Sequence, residues 1–214
     1  IGDEGAAAGM DEDAILIDHT TTSANIARHL SAQLGAQGCH MLDAPVSGGQ
    51  AGAENGALTI MVGGPQEIFD TVKPVLRHYA RAVRLMGASG AGQLTKMVNQ
   101  ICIGGLLQSL SEALLFCQKV GLDGRDVIDV ISKGAAQSWQ MENRFETMID
   151  NQFDFGFAVD WMVKDLDICL DEAKRNGADL PITQIIRDYY GDVQNMGGGR
   201  WDTSSLIARL RENN

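Results

Sequence analysis

Proline is scarce, positive charge is in deficit, and no run of eighteen apolar residues goes uninterrupted by polar groups in this chain of 214 residues. Each shortage excludes something. Four prolines beside 44% hydrophobic residues leave no disorder signature, so the chain is not a linker or a tail. Seventeen Lys and Arg against 28 Asp and Glu give a net charge of −11, the wrong sign for a groove that neutralises phosphates, and no nucleic-acid partner is expected. The broken apolar runs predict no membrane partner, and Ile1 opens a Gly/Ala/Asp/Glu stretch without the basic start of a signal peptide. The expectation is a cytoplasmic protein.

Paired cysteines are also missing. Cys39, Cys102, Cys117 and Cys169 form no CxxC pair and no His/Cys cluster at metal spacing, so no metal site is predicted. Cys102 and Cys117 fall on one predicted helix, which holds them about 22 Å apart and beyond disulfide reach. They read as reduced core thiols.

The last absence concerns a motif. No GxGxxG follows a first strand, as a complete dinucleotide fold requires. The chain is therefore expected to start inside such a domain, downstream of the segment bearing the fingerprint.

What is present changes character near residue 90. Four strand-sized apolar runs precede it, at 14–18 (AILID), 40–46 (HMLDAPV), 58–62 (LTIMV) and 82–86 (AVRLM), each bounded by Gly, Asp or Pro. Residues 23–34 carry Ile26, Ala27, Leu30 and Leu34 at helical spacing behind Ser23 as N-cap. Residues 65–79 repeat the idea, with Pro65 at the helix start, Ile68, Phe69, Val72, Val75 and Leu76 on one side, and Pro74 as a point of kinking. After Gly92 the pattern is helical throughout. Residues 93–120 predict a buried helix of roughly 42 Å, with Gly104 and Gly105 marking close helix contact. Further helices are predicted over 123–132, 139–150, 159–176 and 182–194. The fold class is thus an α/β partial Rossmann-like domain followed by an all-α domain. The expected boundaries are 1–89 for the C-terminal part of a dinucleotide-binding domain and 90–214 for a helical substrate and dimerisation domain.

Two glycine loops and two lysines carry the chemistry. GASGAG at 87–92 joins the last strand to the long helix, but its spacing is GxxGxG and the helix leads only to helices. A closely packed domain hinge is favoured over a phosphate cradle. Ser47, Gly48 and Gly49 follow the second strand, where successive amides beside a hydroxyl can hold a carboxylate or can equally form a plain turn. Lys96 stands one turn into an apolar helix, with Asn99 and Gln100 at i+3 and i+4. The helix N-terminus disfavours a cation by typically 0.3–1 kcal/mol, which points to function rather than to a snorkelling side chain. Lys164 lies at helical spacing from Asp160 and Asp167, and a surface ion pair accounts for it equally well.

Taken together, three separated motifs resemble those of the β-hydroxyacid dehydrogenase family, which includes 3-hydroxyisobutyrate dehydrogenase and semialdehyde reductases. DAPVSGG with GALTIMVGG, over 43–64, is similar to the family's substrate-binding signature; GASGAGQLTKMVNQ, over 87–100, to its catalytic-helix signature; and KDLDIC, over 164–169, to its cofactor-side lysine motif. The resemblance implies that Ser47, Gly48 and Gly49 hold a substrate carboxylate, that Lys96 exchanges the hydroxyl proton, and that Asn99 or Gln100 orients the substrate. Many members place asparagine where this chain has Gln100. The resemblance also implies that Thr21, in DHTTTS, and Lys164 contact NAD or NADP, and that the long helix joins subunits in a homodimer or homotetramer.

Chemically, a nearby base must take the hydroxyl proton while hydride leaves the same carbon. A lysine of ordinary pKa, about 10.4, is a ready acid for reduction and needs burial to serve as a base for oxidation. The expected substrate is a small carboxylate, with 3-hydroxyisobutyrate-like acids, 3-hydroxypropionate or serine ahead of tartronate semialdehyde. Larger phosphogluconate relatives need a longer helical tail. An imine-reductase-like relative is a rival reading, which Lys96 opposes. A catalytically inert dimerisation module is another, supported by the absent fingerprint.

Overall fold

Branched and apolar residues at 14–18, 58–62 and 82–86 do become strands. The computed structural model describes Gly2 and residues 5–212, and contacts group residues 1–98 and 99–214 into two compact units. In the first unit β1 (Ile15–Asp18) pairs in parallel with β2 (His40–Asp43), joined by α1 (Ala24–Gly35). Ser23 caps α1 as expected, its hydroxyl accepting from the Ile26 amide at 3.2 Å.

The strand expected over 40–46 breaks in two. Pro45 has no N–H to give a sheet ladder, and β2 ends before it while β3 (Val46–Ser47) begins after it. Both pieces lie antiparallel to β4 (Leu58–Gly63), through Asp43 opposite Gly63 and Val46 opposite Ile60. A helix that the sequence reading lacked, α2 (Gly49–Glu54), fills the link between β3 and β4. On the other edge of β4, β5 (Ala80–Gly87) runs parallel after α3 (Gln66–Leu76). Phe69, Val72 and Leu76 of α3 pack with Leu42, Ile60 and Val62 of the sheet. Val75, expected on that face, points outward and is 56% exposed. The helix continues through Pro74 and stops two residues later.

The 30-residue α4 (Ala91–Val120) follows β5. A side chain at Gly92 has no room, because a Cβ there stands 2.5 Å from the Met61 carbonyl oxygen and 2.6 Å from that of Asp43. This glycine permits close packing of the helix start on the sheet.

In the helical unit, α5 (Gly124–Ile131) and α6 (Trp139–Ile149) are capped by Asp123 and Ser138. α7 (Val159–Asn176) ends at Gly177 with φ +80°, the left-handed conformation that favours glycine. α8 (Pro181–Asn195) has proline in its first turn, and α9 (Leu206–Glu212) completes the unit. Leu107 of α4 packs with Met162 and Leu166 of α7 and with Ile186 and Tyr190 of α8. Of the two helix glycines, Gly104 faces Ile186 and Leu166, whereas a Cβ on Gly105 meets nothing within 4 Å. Only the first marks a close helix contact. By length and composition α4 also qualifies as a membrane span, with 44% of its most apolar window buried. Its Gln100, Gln108 and Ser111 are buried too, as suits a helix packed among other helices.

Replacing Gly92 by alanine forces backbone apart on two strands, and we expect a loss of about 1–3 kcal/mol, as for other overpacked sites. Urea denaturation of the variant beside the parent protein measures it.

Candidate functional site

The first turn of α4 is fixed by a buried carboxylate. Asp43, 2% exposed at the end of β2, accepts the Gly90 amide at 2.7 Å and the Gln93 amide at 3.0 Å. These are the orphan donors of a helix start, and the helix dipole favours the negative charge. Burial nevertheless pushes the Asp43 pKa above the ordinary carboxylate value, while the amides pull it back.

One turn further on, Lys96 is only 7% exposed, and its Nζ donates to the Val46 carbonyl at 2.9 Å. The ammonium therefore lies at the residue preceding Ser47. There the chain leaves β3 through Gly48 and Gly49, with φ of +132° and +59°. Both values lie in the region that favours glycine, and both residues are exposed. The structure thus brings Lys96 together with the strand that leads into the predicted Ser47, Gly48 and Gly49 turn.

Thr21 lies in the loop at the carboxyl end of β1, the edge of an open α/β sheet where nucleotides bind. The loop is built from its own polar groups. Thr20 donates its amide to Asp18 Oδ1 at 2.9 Å. His19 bridges the Ala44 carbonyl through Nδ1 at 2.6 Å and the Tyr79 hydroxyl through Nε2 at 3.0 Å. Since a carbonyl only accepts, Nδ1 carries the proton and Nε2 accepts from tyrosine.

In the helical unit, Asn99 donates to Gln100 Oε1 at 2.8 Å, and Gln100 donates to Asp165 Oδ2 at 2.7 Å. Asp165 also pairs with Lys164, whose Nζ lies 2.9 Å from Oδ1. The carboxylates expected to hold Lys164 have other hydrogen bonds: Asp160 accepts from Gln194 and Asp167 from Arg187. A buried carboxylate next to it in sequence thus pairs with Lys164. A concavity of about 410 Å³ in the helical unit is lined by Asn151, Phe153, Asp154, Phe155 and Trp201, none of them a residue singled out above.

Sequence reasoning did not single out Asp43, Gln93, His19 or Asp165. A signal existed for Asp43, a carboxylate within a short apolar run that asks for partners, whereas Asp165 stands among other charged residues. For Gln93 and His19 the partners lie far away in sequence, and nothing local distinguishes them.

Residues 90–210 match the family profile described as NAD-binding of NADP-dependent 3-hydroxyisobutyrate dehydrogenase. Residues 1–87 match that of the NAD binding domain of 6-phosphogluconate dehydrogenase. An uncharacterized oxidoreductase of Shewanella frigidimarina is 61% identical over 99% of this chain and 73% of its own length. The 2-hydroxy-3-oxopropionate reductase of Escherichia coli is 35% identical over 91% of this chain and 67% of its own. The crystal structure of 3-hydroxyisobutyrate dehydrogenase from Salmonella typhimurium superimposes with a TM-score of 0.88 at 32% identity, covering 96% of this chain and 72% of that one.

Cys169, one turn beyond Asp165, is buried, and desolvation together with that carboxylate pushes its thiol up to about 12. Cys39 and Cys117 are buried and Cys102 is exposed. Alkylation at pH 8 followed by peptide mass spectrometry should label Cys102 first and the other three only in denaturant.

Proposed function

The chain belongs to the β-hydroxyacid dehydrogenase family of NAD(P)-dependent oxidoreductases, and from that premise we propose that it interconverts a small 3-hydroxy acid and its semialdehyde, with Lys96 as general acid and base. The observation that carries the proposal is the buried Lys96 ammonium, held at Val46 beside the turn of Ser47, Gly48 and Gly49. When bound, NAD or NADP supplies or accepts the hydride. Lys96 Nζ gives its proton to the carbonyl oxygen during reduction and takes it from the hydroxyl during oxidation. As an ammonium it also stabilises the charge that develops on that oxygen.

Ser47, with the exposed backbone of Gly48 and Gly49, holds the substrate carboxylate in this reading. The following helix, α2, contains no basic residue, which supports a substrate with a single carboxylate, such as 3-hydroxyisobutyrate, 3-hydroxypropionate, serine or tartronate semialdehyde. Asn99 is the residue we assign to substrate orientation. Gln100 already commits both ends of its carboxamide, to Asn99 and to Asp165, and so acts as the support behind it. Thr21 and the half-exposed Lys164 are the proposed cofactor contacts. Leu106, Phe116 and Val120, exposed apolar residues along α4, support association as a homodimer or homotetramer.

Lys96→Ala should lower turnover by about 10²–10⁴-fold, the usual contribution of a positioned acid or base, while leaving nicotinamide binding intact. Steady-state kinetics over a panel of 3-hydroxy acids and 2-hydroxy-3-oxopropionate, with cofactor titration by fluorescence, tests both halves. Unchanged turnover would remove Lys96 from the chemistry.

A further inference from the structure

Three residues before Lys96, the side chain of Gln93 is 1% exposed and reaches across more than seventy positions of sequence. Its Oε1 accepts the Thr22 amide at 3.0 Å, and its Nε2 donates to the Thr20 carbonyl at 2.7 Å. One planar carboxamide thus engages the backbone on both sides of Thr21. Its own amide is fixed by Asp43 Oδ2 at 3.0 Å. We propose that Gln93 is a positioning residue that holds the Thr21 loop in register with the helix turn bearing Lys96, so that the nicotinamide contact and the proton donor keep a fixed separation.

The chemistry of the position is narrow. The loop presents one donor and one acceptor, and the partner must return one acceptor and one donor from a single group of this length. Glutamate offers only acceptors and sets a carboxylate against the Thr20 carbonyl. Methionine fills the space but takes the partner from the part-buried Thr22 N–H and Thr20 C=O, so the loop loses both of its bonds to the helix. Asparagine is one methylene short. A glutamine held at backbone and side chain at once is also stiff: Asp43 fixes one end and the loop the other, so motion of the loop is resisted by the sheet itself.

The inference rests on the reading of Thr21 as cofactor contact and Lys96 as proton donor, and the test separates the two. In the parent enzyme without cofactor, the Thr22 amide should be strongly protected from hydrogen exchange. In Gln93→Met and Gln93→Glu that protection should fall at least tenfold. The dissociation constant for NAD(P)H, read by fluorescence, should rise about tenfold, kcat should fall, and KM for the hydroxy acid should stay within twofold. A Thr22 amide that exchanges at the unprotected rate in the parent protein overturns the inference without any variant. So does unchanged cofactor affinity in folded variants whose Lys96→Ala counterpart is inactive; a purely structural role moves the melting temperature and leaves the cofactor constant alone. A fully active Lys96→Ala enzyme instead overturns the underlying reading.

Discussion

Everything at the start of α4 hangs on the carboxylate of Asp43. It ends β2, lies almost wholly out of water, and takes the amides of Gly90 and Gln93 that a helix N-terminus leaves unpaired. Burial opposes its ionisation more than the amides of the helix it caps favour it, which leaves its pKa raised. Through the Gln93 amide the same carboxylate governs the turn that continues to Lys96. Sheet, helix start, loop and lysine thereby share one fixed point.

The two units divide the remaining polar work. In the first, backbone groups do most of the holding: Val46 receives Lys96, Ala44 receives His19, and Thr20 and Thr22 receive Gln93. Main-chain partners are positioned by the sheet and lose no rotamer freedom when they bind, which suits groups that must be placed accurately. In the helical unit, side chains hold one another, from Asn99 through Gln100 to Asp165 and Lys164. Such a chain tolerates one change poorly, because each carboxamide turned the wrong way leaves a neighbour unsatisfied.

Short apolar runs located β1, β4 and β5, and helical spacing located every helix of ten residues or more among the described residues, α7 to the residue. The cap at Ser23 was read directly, while those at Asp123 and Ser138, which also act within three residues, were not named. The break at Pro45 was also written locally, yet the run HMLDAPV reads as one strand until the missing N–H is given more weight than the apolar pattern. α2 escaped because GQAGAE has no apolar stripe, and Val75 was misplaced because five apolar positions spread over more of the helix than the sheet covers. For the site, Lys96 declared itself by being a cation in an apolar stretch. For Lys164, acidic residues at helical spacing drew attention, and the pairing with the adjacent buried Asp165 went unremarked. Gln93 has no such contrast with its neighbours, since its role exists only once residues far apart in sequence are folded together.

The room for Asp43 has a consequence for how this region can change over generations. A Cβ on Gly63 stands 2.5 Å from Asp43 Oδ1, and one on Gly92 stands 2.8 Å from Oδ2. The carboxylate occupies the volume the two glycines leave vacant. A Cβ on Gly63 also meets the Gly92 amide at 2.7 Å, and one on Gly92 meets the Met61 and Asp43 carbonyls, so a smaller residue at 43 does not by itself make room for either. Shrinking residue 43 strands the two amides it caps, so each of the three positions is held by the other two and by the backbone between them.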